Sequence, residues 1–164
     1  MKTAVVTGGT RGIGAALVRS FLESGWNVAL SGTTESTLER SLQLIEGHYE
    51  KERYAAFRCD VTVEADLISL WDGAQKAFGS VDIWVNNAGL SSDQTPFHEL
   101  DPGIFARIID TNVKGLMLAT HVAYNRMLAQ GSGAIYNMEG LGSDGAALGP
   151  TEGLALGTVP LAKG

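Results

Sequence analysis

Five short apolar runs in this 164-residue chain alternate strictly with four stretches of helical periodicity, and that alternation restricts the fold more than any other feature. The runs are "TAVVT" (3–7), "WNVALSG" (26–32), "YAAFRCDV" (54–61), "VDIWVNNAG" (81–89) and "GAIYNM" (133–138). They are apolar on both faces, as strands covered on both sides must be. After Gly12, residues Ile13, Leu17 and Phe21 recur at helical spacing, and "SG" at 24–25 ends that helix. "ESTLERSLQLIEGHYE" (35–50) puts Leu38, Leu42 and Ile45 on one face, and "EADLISLWDGAQKAF" (64–78) does the same with Leu67, Leu70, Trp71, Ala74 and Phe78. A long helix is expected over about 101–130. The predicted fold is α/β, a doubly wound parallel sheet of about five strands with helices on both faces.

Composition narrows the class. Hydrophobic residues make up 45% and charged residues 18%, the balance of a packed globular domain, and the length suits one domain with a sizeable core. A net charge of -6 without any block of like charge argues against a nucleic-acid surface, which relies on clustered Lys and Arg. The single cysteine, Cys59, can form no internal disulfide, and the first apolar run is too short for a signal peptide or a membrane span. A reduced, cytoplasmic protein without a membrane partner is expected. His48, His98 and His121 stand far apart in no metal-ligand spacing, so no metal site is expected.

"TGGTRGIG" (7–14) lies between the first strand and the first helix. A glycine-rich turn there lets backbone N–H groups and the helix N-terminus face a phosphate. Side chains at Gly8, Gly12 or Gly14 would block that approach or the packing of helix on strand. The spacing is Gly8-x-x-x-Gly12-x-Gly14, with Gly9 as an extra glycine. Such turns also serve structural needs alone, but the position after the first strand of an alternating chain points to a nucleotide. No G-x-x-x-x-G-K-[ST] loop and no G-x-S-x-G elbow is present, which argues against a P-loop NTPase and a serine hydrolase.

Four motifs in order, T-G-x-x-x-G-I-G, "CDV" (59–61), "NNAG" (86–89) and "TNVKG" (111–115), resemble the short-chain dehydrogenase/reductase family, whose fold is a seven-stranded Rossmann-like sheet. The resemblance implies a nicotinamide dinucleotide with Gly8, Gly12, Ile13 and Gly14 along its pyrophosphate and Thr10 in the same binding loop. It implies Asp60 against the adenine ring with Val61 beside it. Asn87, Ala88 and Gly89 would form a turn that stabilises the central sheet and borders the ribose. Asn112 would be the catalytic asparagine, whose backbone carbonyl holds a water of the proton relay. The stretch "YNMEGLGSDG" (136–145) further resembles a branch that includes chlorophyll b reductases, which suggests a branch and not a substrate.

The choice of dinucleotide has a physical basis. An NAD-specific site carries a carboxylate at the end of the second strand, which accepts from the ribose 2′-OH and repels a 2′-phosphate. Here "VALSGTT" has Gly32 in that place. Arg11 can pair with a 2′-phosphate, and Ser31, Thr33 and Thr34 offer hydroxyls. NADP(H) is therefore favoured over NAD(H), although Thr33 stands where many NADP-using relatives carry a second Arg.

The resemblance implies hydride transfer between the nicotinamide and a small-molecule carbonyl or alcohol, with a Tyr-x-x-x-Lys pair and a serine at the reacting oxygen. The tyrosines here are Tyr49, Tyr54, Tyr124 and Tyr136, and none has Lys four residues on. Lys163 arrives near the right region, but no tyrosine precedes it and Pro160 would interrupt its helix. Gly140 stands where the serine is usual, and Ser143 is either its catalytic substitute or a plain loop serine.

Residues 131–164 hold nine of the 21 glycines and only four charged residues, and no period survives beyond Met138. The expected organisation is a dinucleotide-binding domain over 1–138 and a glycine-rich tail over 139–164. The expected function is an NADP(H)-dependent oxidoreductase whose Tyr and Lys are missing and whose turnover is low or absent. The alternatives are a non-catalytic NADP(H)-binding module and a truncated or frame-shifted gene product. In the family the long helix pairs with its copy; Ile104, Ile108, Leu116 and Ala119 fit such a homo-oligomer, and fit packing on the sheet equally.

Overall fold

Neighbouring residues of a strand point to opposite faces, so a strand apolar throughout needs cover on both sides. The computed structural model, which describes residues 1–92 and 97–138, meets that need with one sheet between two helical layers. Strands β1 (Thr3–Val6), β2 (Asn27–Gly32), β3 (Tyr54–Arg58), β4 (Ile83–Asn86) and β5 (Ala134–Asn137) are all parallel, in the order β3-β2-β1-β4-β5. The chain thus runs outward from β1 to β3, returns to the other side of β1 at β4, and runs outward again.

The helices are α1 (Gly12–Glu23), α2 (Glu35–Gln43), α3 (Glu64–Phe78), α4 (Gly103–Ile109) and α5 (Leu116–Gln130). One layer packs Val6, Val28, Leu30 and Val85 against Val18 and Leu22 of α1 and Leu38 of α2. The other packs Val5, Ala29 and Trp84 against Leu67, Leu70 and Trp71 of α3 and Ala119, Ala123 and Met127 of α5. Trp71 and Trp84 stack with ring centroids 5.9 Å apart. Truncating either fully buried indole to alanine removes about 3–5 kcal/mol of stability.

Two helical expectations are corrected. The inward face of α1 is Gly14, Val18 and Leu22, while Ile13 is 64% exposed and Leu17 and Phe21 only flank the core. Helix α2 stops at Gln43 rather than reaching residue 50. Leu44 is left 60% exposed, and a turn with Gly47 at φ +79° delivers Ile45 to the core. The long helix is continuous from Gly103 to Gln130 but widens to a π-helical segment over Asp110–Gly115. Gly115 lies so close to the chain after β3 that a Cβ there would stand 2.8 Å from Val61 Cγ2.

Of the apolar positions first considered for pairing the long helix, Ala119 is in the core, and Ile104, Ile108 and Leu116 are half-buried. The outward stripe is a different set, Ile109, Val113, Met117, Tyr124 and Leu128, each between 37% and 65% exposed. The glycine-rich segment 139–164, with Gly140, Ser143, Pro160 and Lys163, lies outside the described residues, as does the expected domain boundary after 138. Among the described residues no helix is long and apolar enough to cross a membrane.

Candidate functional site

Thr7 and Asn87, at the C-terminal ends of β1 and β4, fasten two turns together. The Asn87 side-chain amide donates to the carbonyls of Thr7 and Gly8, both at 3.0 Å. The Thr7 hydroxyl accepts from the backbone N–H of Asn87 (3.0 Å) and of Ala88 (3.1 Å), and donates to the Val85 carbonyl (3.3 Å). The glycine turn is thereby pinned to the turn that follows β4.

Its three spaced glycines are needed for different reasons. Gly8 has φ +63°, and a Cβ there would approach Ala88 Cα to 2.9 Å. Gly12 has φ +54° with open space around it, so its backbone conformation alone calls for glycine. Gly14 has ordinary dihedrals, but a Cβ would collide with the Gly8 carbonyl oxygen and the Asn87 amide.

A cleft of about 1020 Å³ lies over these ends, at the point where the strand order reverses. Doubly wound sheets bind ligands in this crevice. The cleft brings together Gly8, Thr10, Arg11, Gly12, Ile13 and Gly14 of the glycine turn, and Thr33 after β2. It adds Asp60 and Val61 after β3, and Asn87, Ala88 and Gly89 after β4. Two features of the glycine turn suit an anionic, partly apolar ligand. No side chain caps α1, because its N-cap residue, Arg11, carries no acceptor, so the first N–H groups of the helix remain available to an anion. Ile13, with its apolar side chain largely exposed, lines the same cleft.

Helix α2 behaves differently: its N-cap Thr34 hydroxyl accepts from the Thr37 N–H at 3.3 Å. The Thr37 hydroxyl in turn donates to the Thr34 carbonyl at 2.8 Å. Of the three hydroxyls expected near a 2′-phosphate, Thr33 and Thr34 line the cleft, whereas Ser31 points into the core and does not.

The Asp60 carboxylate is oriented by its own turn, accepting from the Thr62 N–H (2.9 Å) and hydroxyl (2.7 Å). The Asp60 N–H donates to Asp66 at 3.0 Å. Next to it, burial pushes the Cys59 thiol up to about 12, helped by the negative charges of Asp66 and Asp60. Although Cys59 borders the cleft, it is held as the neutral thiol and is no nucleophile.

Asn112 lies behind the cleft wall, in the π-helical segment. Its side chain clasps Leu90 from both sides, accepting from the Leu90 N–H (2.8 Å) and donating to the Leu90 carbonyl (2.9 Å). Ser143 lies outside the described residues.

Two groups escaped sequence reasoning. Buried Asn86 accepts from the Trp84 indole N–H (2.7 Å) and donates to Thr120 (2.9 Å) and Asn137 (2.8 Å), joining β4, α5 and β5. Arg107, Asp110 and Thr111 also line the cleft. Their i, i+3, i+4 spacing marks one helical face, but nothing in the sequence says what that face meets.

The short chain dehydrogenase family profile matches residues 2–147. A 3alpha-hydroxysteroid dehydrogenase of Mediterraneibacter gnavus is 36% identical over 136 residues, which cover 83% of this chain and 54% of the relative. Chlorophyll(ide) b reductase NOL, chloroplastic, of Arabidopsis thaliana is 36% identical over 143 residues, 86% of this chain and 41% of the relative. The second likeness agrees with the branch suggested by residues 136–145. Among solved structures, ElxO with NADP bound superposes with a TM-score of 0.77 at 27% identity, over 92% of this chain and 59% of that one. The chain spans about half the length of the curated relatives it matches. With the profile covering nearly all of the chain and the same fold behind it, this chain belongs to the short-chain dehydrogenase family.

Proposed function

We propose that residues 1–138 form the NADP(H)-binding unit of an oxidoreductase for a small-molecule carbonyl/alcohol pair. The observation that carries this is the uncapped N-terminus of α1, opening with its pinned glycine turn onto the cleft at the strand-order reversal. Gly8, Thr10, Gly12, Ile13 and Gly14 hold the pyrophosphate against that helix end. Asp60 and Val61 border the adenine, and Asn87, Ala88 and Gly89 border the ribose. When bound, the nicotinamide supplies or takes up a hydride. Asn112 fixes the backbone at Leu90 beside the substrate end, and Ser143 supplies the hydroxyl that polarises the substrate oxygen.

NADP(H) is preferred over NAD(H) because β2 ends in Gly32 rather than an acid, with Arg11 and Thr33 available to a 2′-phosphate. The chain works in the cytoplasm, where a reducing setting suits its neutral, buried thiol. A second copy covers the exposed stripe from Ile109 to Leu128, since an isologous pairing buries identical apolar faces at once.

One observation favours a second reading, a binding module without chemistry: no tyrosine in the 164 residues is followed by Lys at the fourth position. Fluorescence titration with NADPH and NADH, then turnover with a panel of aldehydes and ketones, separates the two. The oxidoreductase requires NADPH binding and a low but measurable turnover, and the module requires binding with none. Failure to bind either dinucleotide refutes both. Arg11→Ala weakens NADPH about tenfold, the effect of one partly exposed charge-assisted contact, and leaves NADH unchanged.

A further inference from the structure

We infer that Arg107 lays its guanidinium on the adenine ring of the dinucleotide, an assignment that rests on the cofactor reading above. Among the described residues, the cleft is lined by two cationic side chains, Arg11 and Arg107, and by no Phe, Tyr, Trp or His. An adenine entering it finds no aromatic side chain to stack on. Val61 offers one apolar contact, and a planar, weakly hydrated guanidinium is the polar group of the lining suited to stack on the ring face.

The two arginines come from different elements. Arg11 belongs to the glycine turn, and Arg107 to the last turn of α4. The helical rod that carries Arg107 is anchored twice. Gly115 packs on Val61, and the Asn112 side chain clasps the Leu90 backbone. The first anchor ties the rod to Val61, which the cofactor reading sets beside the adenine. Arg107, Asp110 and Thr111, on one helical face, line the same cleft as Asp60 and Val61.

Arg107 is also uncommitted. It is exposed and makes no ion pair among the described residues, not even with Asp110 three residues on. Asp60, which also lines the cleft, already holds Thr62. No existing partner must be given up when a ring arrives.

The test measures Kd for NADPH directly and for 5′-ADP by displacement of NADPH, with the full chain and its Arg107→Ala, Arg107→Lys and Arg11→Ala variants. Arg107→Ala weakens both ligands about fivefold, the scale of a half-desolvated cation–π contact. Arg107→Lys, which keeps the charge without the plane, recovers less than half of that loss. Arg11→Ala weakens NADPH alone, because 5′-ADP has no 2′-phosphate. Unchanged 5′-ADP affinity in Arg107→Ala, or full recovery by Arg107→Lys, overturns the stacking role while leaving the cofactor reading in place. An unsubstituted chain that binds neither ligand overturns the cofactor reading, and the role of Arg107 with it.

Discussion

Placing alanine at Gly14 should destabilise this protein, although a glycine-to-alanine change inside a helix ordinarily stabilises by up to about 1 kcal/mol. The added methyl group would meet the Gly8 carbonyl oxygen and the Asn87 side-chain amide. Neither can retreat cheaply, because one is backbone and the other is bound to two carbonyls at 3.0 Å. Overpacking costs about 1–3 kcal/mol, and each Asn87 hydrogen bond that is lost adds about 1 kcal/mol. Less the propensity gain, the net loss is about 2–3 kcal/mol. For a chain of this size each kcal/mol moves Tm by about 3 °C, so Gly14→Ala should melt about 6–9 °C below the parent. Gly12→Ala is the control. It meets no atom, bears only the left-handed backbone cost of about 1 kcal/mol, and should melt about 3 °C lower. Thermal melts followed by circular dichroism decide the matter. A Gly14→Ala protein as stable as the parent, or less affected than Gly12→Ala, would refute the close packing of α1 on the pinned turn.

Asn86→Ala strands the buried Trp84 indole N–H and removes the partner of the half-buried Thr120 and Asn137 side chains, and should cost about 2–3 kcal/mol in urea unfolding. A loss below about 1 kcal/mol would mean that the three groups find other partners. Cys59 should resist iodoacetamide in the native state at pH 8 and react on unfolding; equal rates in both states would contradict its burial. Its folded pKa of about 12 lies above the ordinary 9.0, so its contribution to stability is fully present below pH 9 and is lost as pH rises toward 12. Cys59→Ala should therefore flatten part of the alkaline fall in stability, which for one thiol is at most about 1.4 kcal/mol per pH unit. Met117→Asp, in the middle of the exposed stripe, should convert a dimer to a monomer in sedimentation velocity, and a parent that sediments as a monomer would rule the pairing out.

The strands could be read from sequence because cover on both faces leaves an unbroken apolar run, as Val5 and Val6 show by facing opposite layers. The same hydropathy could not fix the phase of α1. Leu17 and Phe21 are as apolar as Val18 and Leu22, and the closest approach is made by Gly14, which has no side chain to signal it. Nor could it tell whether Ile45 reaches the core in a helix or by a turn, since either places an isoleucine there. Within the cleft, the glycine turn and the turn after β4 were visible as motifs. The Thr34–Thr37 helix cap went unread, although a threonine before a helix commonly accepts from the N–H three residues on; Thr34 was considered only as a hydroxyl for a 2′-phosphate. Asn86 was not visible, because its partners Thr120 and Asn137 lie 34 and 51 residues away. Arg107 likewise takes its place from contacts that its rod makes elsewhere, at Val61 and Leu90.

The widened stretch Asp110–Gly115 acts as a phase shifter in a single shaft. Before it and at its start, the shaft brings Arg107, Asp110 and Thr111 to the cleft; downstream, it aims Ala119, Ala123 and Met127 at the sheet. A uniform pitch over the same residues would align the two sets differently, because each residue of an α-helix advances the face by about 100°. A π-helical stretch holds about one residue more than the α-turn it replaces, so deleting one residue within 110–115 would close the widening and keep the two faces aligned. Deleting one residue just after it, at Met117 or Leu118, would instead turn everything beyond by about 100° and carry Ala119, Ala123 and Met127 off the sheet. The shaft is therefore sensitive to length as well as to composition, and a six-residue stretch sets how the cleft wall and the core are clocked to one another.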